Sequence, residues 1–206
     1  MFSIEALYGL RDKHIETLEK LDRELFRKIF QSGAATPIES FYLATKTLPF
    51  RYIIIGRRLM FYWSILQKSE NELIRRFLTA QELNPVKNDL CTQFKDDLKT
   101  CGISLTSSEI SKLKKWKFKK IVNNKLQEVA REYLISLKES HSKLDQLGNT
   151  YTLEPYLTSN NLTTEEKQTL FKLRTRMIDV KCNFKSYYGQ DLKCKLCPEE
   201  ETQPCL

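Results

Sequence analysis

The sequence predicts an all-α protein: an irregular multi-helix bundle with one long basic helix and a small cysteine-containing C-terminal tail. Only six glycines and six prolines occur in 206 residues, too few for the many turns of a β-sandwich or barrel. Leu, Lys, Glu and Arg are plentiful and favour helices. Apolar residues also recur at three- and four-residue steps along much of the chain. With 41% apolar residues, such helices can bury a core.

The first two helices are predicted from an apolar stripe and from a helix-start signal. Between Leu10 and Phe30, apolar residues at helical spacing alternate with charged ones, the pattern of an amphipathic helix. Residues 36–39 (TPIE) then combine a threonine N-cap, a proline at the first helical position and a glutamate that could close a capping box. These signals predict a second, short helix to about Thr45.

A central helix and two amphipathic helices are expected next. Residues 48–66 begin with Leu-Pro and are apolar on nearly every side, which predicts a buried helix whose three arginines must still reach the surface. Ser69 with Glu72 repeats the capping-box pattern and predicts a helix to about Gln81. Apolar residues at positions 91, 94, 98 and 101 predict a further helix, which Gly102 ends.

The longest helical pattern begins at Thr106 with Glu109 and ends near residue 147. Its apolar stripe comprises Phe118, Val122, Leu126, Val129, Tyr133 and Leu137. The polar segment 148–162 is expected to be a linker with at most one helical turn, and residues 163–166 cap a last helix. The predicted division is therefore a helical domain over 1–147, a linker over 148–162, and a helix plus incomplete cysteine-rich knuckle over 163–206.

A run of lysines in the long helix is the main indication of a binding function. Six lysines between positions 112 and 120 enclose Trp116 and Phe118 and fall on all sides of a helix, so this stretch cannot lie flat against a core. One interpretation is a phosphate-contacting helix end with an aromatic that stacks on a base. The other is a solvated helix end whose aromatics pack locally. The predicted nucleic-acid-binding residues are Arg51, Arg57, Arg58, Lys112, Lys114, Lys115, Trp116, Lys117, Lys119, Lys120, Lys125, Arg174 and Arg176.

The cysteines near the C-terminus have the spacing of a metal knuckle. Cys194 and Cys197 form a Cys-x-x-Cys pair, and Cys205 follows after a short loop, which gives three of the four ligands of a tetrahedral zinc site. Cys182 is either the fourth ligand or a buried half-apolar residue. Zinc is therefore the one cofactor that the sequence predicts, at an incomplete site.

Charge and cysteine placement bound the partners and the compartment. A formal charge of +8 favours polyanionic partners such as RNA or DNA. The most apolar run, residues 52–66, is interrupted by charges and is shorter than the roughly 20 residues that span a bilayer. Four of the six cysteines lie after residue 181, which suits a metal site better than the disulfides of a secreted protein. We expect an intracellular protein, nuclear or cytoplasmic, without a membrane partner.

Two parts of the chain resemble a known family, the non-LTR (LINE-type) retrotransposon reverse transcriptases, in the region after the polymerase core. The similar segments are residues 36–43 (TPIESFYL), 48–54 (LPFRYII), 57–60 (RRLM), 170–177 (LFKLRTRM), 183–185 (NFK) and 194–197 (CKLC). The middle of the chain is similar only in its helical character and basic charge.

The resemblance implies a nucleic-acid-binding accessory region without polymerase activity of its own. In that family a histidine and then a cysteine follow the Cys-x-x-Cys pair, whereas Cys205 stands here where the histidine is usual. The fingers and the palm with its catalytic aspartates are absent from this chain. The implied partners are RNA or DNA and, if the region is expressed, the rest of its parent polyprotein.

Two alternatives come from other functional classes. The first is an all-α protein-interaction module whose charge is incidental, which an exposed apolar patch would indicate. The second is an enzyme that uses Asp96 and Asp97. Residues 94–97 (FKDD) are similar to the aromatic-x-Asp-Asp turn of template-copying polymerases, but they lie in a helical pattern and not on a hairpin. We expect no primer extension from this pair.

Overall fold

The computed structural model of the protein describes residues 12–87, 89–140, 144, 147 and 151–177. These residues form nine α-helices and no β-strand, which confirms the predicted all-α class. None of these helices has the length and apolar content that crossing a bilayer requires. The helices are α1 (Asp12–Phe30), α2 (Ile38–Thr45), α3 (Phe50–Leu66), α4 (Leu73–Leu83), α5 (Leu90–Thr100), α6 (Ser107–Lys112), α7 (Lys115–Ser140), α8 (Pro155–Thr158) and α9 (Thr164–Arg174).

The chain divides into two compact units, each with its own core. The first unit comprises Met1–Lys20 and Leu48–Glu132, and the second comprises Leu21–Thr47 and Tyr133–Leu206. Two of the three boundaries fall inside a helix, one in α1 and one in α7, and the third lies between α2 and α3. This division differs from the linear one predicted from the sequence, because each unit joins segments that are far apart along the chain.

Two of the predicted capping boxes are present. At the start of α6, the Thr106 hydroxyl accepts from the Glu109 backbone N–H, and the Glu109 carboxylate accepts from the Thr106 N–H at 2.8 Å. The same reciprocal pair forms between Thr163 and Glu166 at the start of α9. Each box satisfies backbone donors that a helix start leaves without partners.

The other two predicted capping boxes are wrong, because their helices begin later in the chain. Helix α2 has Pro37 as its N-cap and begins at Ile38, so no Thr36 side-chain cap forms. Helix α4 has Glu72 as its N-cap and begins at Leu73. Ser69 instead lies in the preceding turn, where its carbonyl accepts from the Glu72 N–H at 3.0 Å.

The predicted long helix from Thr106 is also wrong, since it is two helices separated at Leu113 and Lys114. At about 100° per residue, one continuous helix would place Lys114 and Lys117 within about 40° of Ile110. Ile110 is fully buried, so both lysines would face the core. The break changes the phase of the helix, and Phe118 takes the buried position in α7 while the lysines stay exposed.

Helix α3 crosses the middle of the first unit. A Cβ placed on Gly56 would lie 2.9 Å from the Leu126 side chain, so the missing side chain lets α3 and α7 approach closely. The core around this contact contains buried aromatic and aliphatic residues of α3, α4, α5, α6 and α7. The ring centroids of Tyr62 and Phe94 lie 4.3 Å apart within it.

Arg58 of α3 forms a buried ion pair in this unit. Its guanidinium donates Nε to Asp97 Oδ2 at 2.7 Å and Nη2 to Asp97 Oδ1 at 2.5 Å. Only 6% of Arg58 and 4% of Asp97 are exposed. Burial raises the pKa of the Asp97 carboxyl, and the Arg58 guanidinium opposes that rise by stabilising the carboxylate. The expectation that all three arginines of α3 reach the surface is therefore wrong for Arg58.

The second unit is organised around phenylalanine rings from α1, α2 and α9. Phe171 of α9 lies 4.3 Å from Phe30 and 5.1 Å from Phe41 between ring centroids. The segment predicted to be a linker contains the single helical turn that the sequence predicts, α8. Two of its residues, Tyr151 and Glu154, are buried. The Glu154 N–H donates to the Ala44 carbonyl at 3.0 Å.

The buried ion pair leads to a stability prediction. Replacing Arg58 with methionine leaves Asp97 buried without a counter-charge, so the free energy of unfolding should fall by about 3–5 kcal/mol. Asp97 then binds a proton more tightly in the folded state than in the unfolded state, so the loss should be smaller at about pH 5 than at about pH 8. Urea unfolding followed by circular dichroism measures both effects.

The neighbouring arginine is the matched control. Arg57 is exposed on the same helix, so Arg57→Met should change the free energy of unfolding by no more than about 0.5 kcal/mol. Equal losses for the two variants would contradict a structural role for the Arg58–Asp97 pair.

Candidate nucleic-acid interface

The break between α6 and α7 is held by Trp63, in the last turn of α3, and by Gln67, the C-cap residue of that helix. Trp63 Nε1 donates to the Leu113 carbonyl at 2.9 Å, and Gln67 Nε2 donates to the Ser111 carbonyl at 2.8 Å. Carbonyls at the end of a helix have no partner in their own helix, so these donors satisfy groups that the break would otherwise leave without a hydrogen bond. The last turn of α3 therefore fixes where α6 ends.

Helix α7 starts directly after this break and is anchored by Phe118. The Lys114 carbonyl accepts from the backbone N–H groups of Lys117 and Phe118, at 2.9 and 3.1 Å. The Phe118 side chain is fully buried, and Val122 and Leu126 continue the buried stripe one and two turns later. Because one side of α7 is committed to the core, the residues around Phe118 must point to solvent.

Six lysines and one tryptophan between residues 112 and 120 lie exposed around this break, and we call them the junction surface. All its members are exposed, and the sequence from 110 to 127 has no acidic residue. Glu109, just before this stretch, interacts electrostatically with Lys112. Among the described residues, none of its lysines forms an ion pair. The members are Lys112, Lys114, Lys115, Trp116, Lys117, Lys119 and Lys120.

The helix start adds to the positive potential of the junction surface. The first turn of α7 contains no acidic residue and carries lysines instead. The N-terminus of a helix has a partial positive charge from its free N–H groups, which favours acidic side chains there and disfavours basic ones. The lysines at the start of α7 are therefore repelled by the partial positive charge of the helix N-terminus and by one another. A bound anion would reduce this repulsion.

The two aromatic residues of the lysine run have different environments. Phe118 is a core residue, whereas 60% of Trp116 is exposed. The Lys117 ammonium lies 5.6 Å from the centroid of the Trp116 ring, within the range of a cation–π contact. Local packing, the alternative explanation of the lysine run, accounts for Phe118, whereas Trp116 keeps most of its surface in water.

The arginines of α3 do not join the junction surface. Arg51 pairs with Glu19 at 2.8 Å and lies in the first turn of α3, about 18 Å along the helix axis from Trp63. Arg57 is exposed in the middle of α3, and Arg58 is bound to Asp97 inside the core. Of the predicted arginine cluster, Arg58 is thus too deeply buried to contact a phosphate in this structure.

The remaining predicted basic residues have other surroundings. Lys125 pairs with Glu128 at 2.6 Å, and this carboxylate raises the pKa of Lys125. Arg174 lies in the second unit, with Nη2 at 3.4 Å from the buried carboxylate of Glu154. Arg176 is half-buried in the same unit and adopts a left-handed backbone with φ of 52°.

The four cysteines of the predicted knuckle, Cys182, Cys194, Cys197 and Cys205, lie outside the described residues. Zinc binding by them stays a prediction. The two described cysteines, Cys91 and Cys101, are buried free thiols of the first core. Burial raises the pKa of Cys101 to about 12, so its thiol is protonated in the core.

Of the Asp96–Asp97 pair, Asp97 is bound by the Arg58 guanidinium. Both residues lie in helix α5, where Asp97 is enclosed and bound by Arg58 through both carboxylate oxygens. Two-metal catalysis needs carboxylates that project together into an accessible site. The described geometry gives Asp97 a role in stability.

No protein-family model, curated protein or solved structure matches this chain. The resemblance to reverse transcriptases therefore stays a prediction from the sequence segments quoted above.

Sequence patterns identified the lysines and Trp116 but missed the residues that position them. Trp63 lies in a helix that is apolar on nearly every side, and Gln67 caps the end of that helix. Nothing in their spacing shows that they donate to carbonyls of α6 and the following loop. A tryptophan near the end of a buried helix is the one available signal, since a buried indole N–H usually needs an acceptor.

This anchoring gives a prediction for Trp63. Trp63→Phe keeps an aromatic ring but removes the donor to Leu113, so the free energy of unfolding should fall by about 1–2 kcal/mol. Trp116→Phe is the matched control, with an expected change under about 0.5 kcal/mol because most of that side chain is in water. Urea unfolding measures both, and a larger loss for Trp116→Phe would contradict the assigned roles.

Proposed function

We propose that the junction surface binds the phosphate backbone of RNA or DNA. The observation that carries this proposal is the group of six exposed lysines around the start of α7, none of which forms an ion pair among the described residues. Phosphates bound by lysines release condensed counterions, so such a surface gains affinity without reading any base.

The arrangement of charges favours an extended polyanion over a small anion. The lysines are distributed over the end of α6, the connecting residues and the first turns of α7. Because they point in several directions around the junction, no single phosphate could contact all of them. A nucleic acid strand that passes the junction offers several phosphates in sequence.

We also propose that this chain is the post-polymerase accessory region of a LINE-type retrotransposon reverse transcriptase. The support is the resemblance of residues 36–60 and 170–197 together with a surface suited to nucleic acid. Sequencing the gene upstream of this chain tests it: a polymerase palm with its aspartates is expected there, and an unrelated reading frame would refute the proposal.

Removing two lysines should weaken binding in a salt-dependent manner. Lys119→Ala with Lys120→Ala removes two contacts, so the slope of log affinity against log salt should fall by about 0.7 for each lysine on single-stranded nucleic acid. Fluorescence anisotropy with a labelled oligonucleotide, repeated at several salt concentrations, gives the slopes.

The control variant changes the net charge equally at another place. Lys20 and Lys28 are exposed on α1, and replacing both with alanine removes the same two charges. This variant should bind nearly as the wild type does. If both double variants weaken binding equally, net charge and not the junction surface accounts for the affinity, and the proposed site is wrong.

The alternative function, a protein-interaction module, is favoured by one observation in the second unit. Leu21, Leu25 and Ile29 recur every four residues on α1 and are 58%, 56% and 52% exposed, although most residues of this type are buried. Such a stripe can pack against a partner helix.

Self-association through α1 has a direct test. Sedimentation velocity over a range of protein concentrations should show a dimer if the stripe pairs with a second copy. Leu25→Glu should then shift the protein to a monomer, whereas Leu73→Glu, at an equally apolar but separate exposed position of α4, should not. A monomer at all concentrations would remove the support for pairing.

A further inference from the structure

We propose that the junction surface prefers single-stranded RNA or DNA, because Trp116 stacks on an unpaired base. This inference rests on the proposed function, since it concerns the same surface. It adds the class of nucleic acid that the surface selects, which lysines alone cannot determine.

Trp116 lies exposed in the first turn of α7. An indole that is 60% exposed contributes little to the core, and its neighbour two positions later already fills the buried position on α7. The lysines on both sides of it bind phosphates in the proposed function. Lys117, whose ammonium lies 5.6 Å from the ring centroid, would hold a phosphate close to the ring and thus bring the attached nucleotide near the indole.

The exposed face of α7 continues this site along the helix. Lys120, Asn123, Asn124 and Gln127 follow Trp116 at helical spacing, so they share one side of α7. Both asparagines are exposed and Gln127 is half-buried. Amide side chains both donate and accept hydrogen bonds. When one base stacks on Trp116, these amides could therefore bind the neighbouring nucleotides of the strand.

Duplexes cannot use this aromatic contact. In a double helix the base faces are covered by adjacent base pairs, so only an unpaired base exposes a face to Trp116. Lysines act in the opposite direction, because double-stranded DNA has the higher charge density and a steeper counterion effect than a single strand. A preference for single strands would therefore have to come from stacking.

The experiment compares single strands and duplexes at one ionic strength. Full-length protein is titrated into a fluorescein-labelled single-stranded oligonucleotide and into the blunt-ended duplex of the same strand, with anisotropy as the readout. The wild type should bind the single strand more tightly. Trp116→Ala should lose about tenfold or more on the single strand, as expected for one stacked base, and less than about twofold on the duplex.

Two further variants separate the inference from the proposed function. Trp116→Phe retains an aromatic face and should keep most of the wild-type affinity for the single strand. Lys119→Ala with Lys120→Ala should weaken binding to both the single strand and the duplex. If the lysine variant binds both ligands more weakly but Trp116→Ala changes neither affinity, the stacking proposal is wrong and the phosphate-binding proposal is retained. If the wild type binds neither ligand at low salt, both proposals fail. Equal losses of Trp116→Ala on both ligands would also overturn the single-strand preference.

Discussion

The hydrogen bonds from the last turn of α3 to the carbonyls of Ser111 and Leu113 are the interaction on which the basic surface depends. They allow α6 to end and α7 to begin in a different phase. Without that change, the buried face of α6 would continue into lysines, and the sequence could not satisfy both the core and its charges. The break lets Phe118 enter the core while six ammonium groups remain in water.

Arg58 and the lysines of the junction surface have opposite environments. Arg58 is enclosed, and its planar guanidinium matches both oxygens of Asp97, an arrangement that a lysine could not reproduce. The lysines of the junction surface are exposed, flexible and without carboxylate partners among the described residues. Arg58 stabilises the core and the junction lysines carry the proposed binding, so net charge alone is a poor guide to function in this chain.

Local signals in the sequence determined much of the fold. The helix class, the two capping boxes at Thr106 and Thr163 and the exposure of the lysines follow from periodicity and side-chain chemistry. The break after α6 was missed, because a capping box and an unbroken helical pattern gave no stop signal such as glycine or proline. The pairing of Arg58 with Asp97 joins residues 39 positions apart, and such contacts depend on tertiary packing.

Lysine footprinting identifies the lysines that a bound nucleic acid covers. The protein is treated with a lysine-acylating reagent with and without a single-stranded oligonucleotide, and mass spectrometry measures the modification of each lysine. Binding at the junction surface predicts protection of the lysines from Lys112 to Lys120, while Lys20 and Lys28 of α1 react as before. Protection confined to other lysines, or no protection under conditions where the oligonucleotide is bound, would contradict this account.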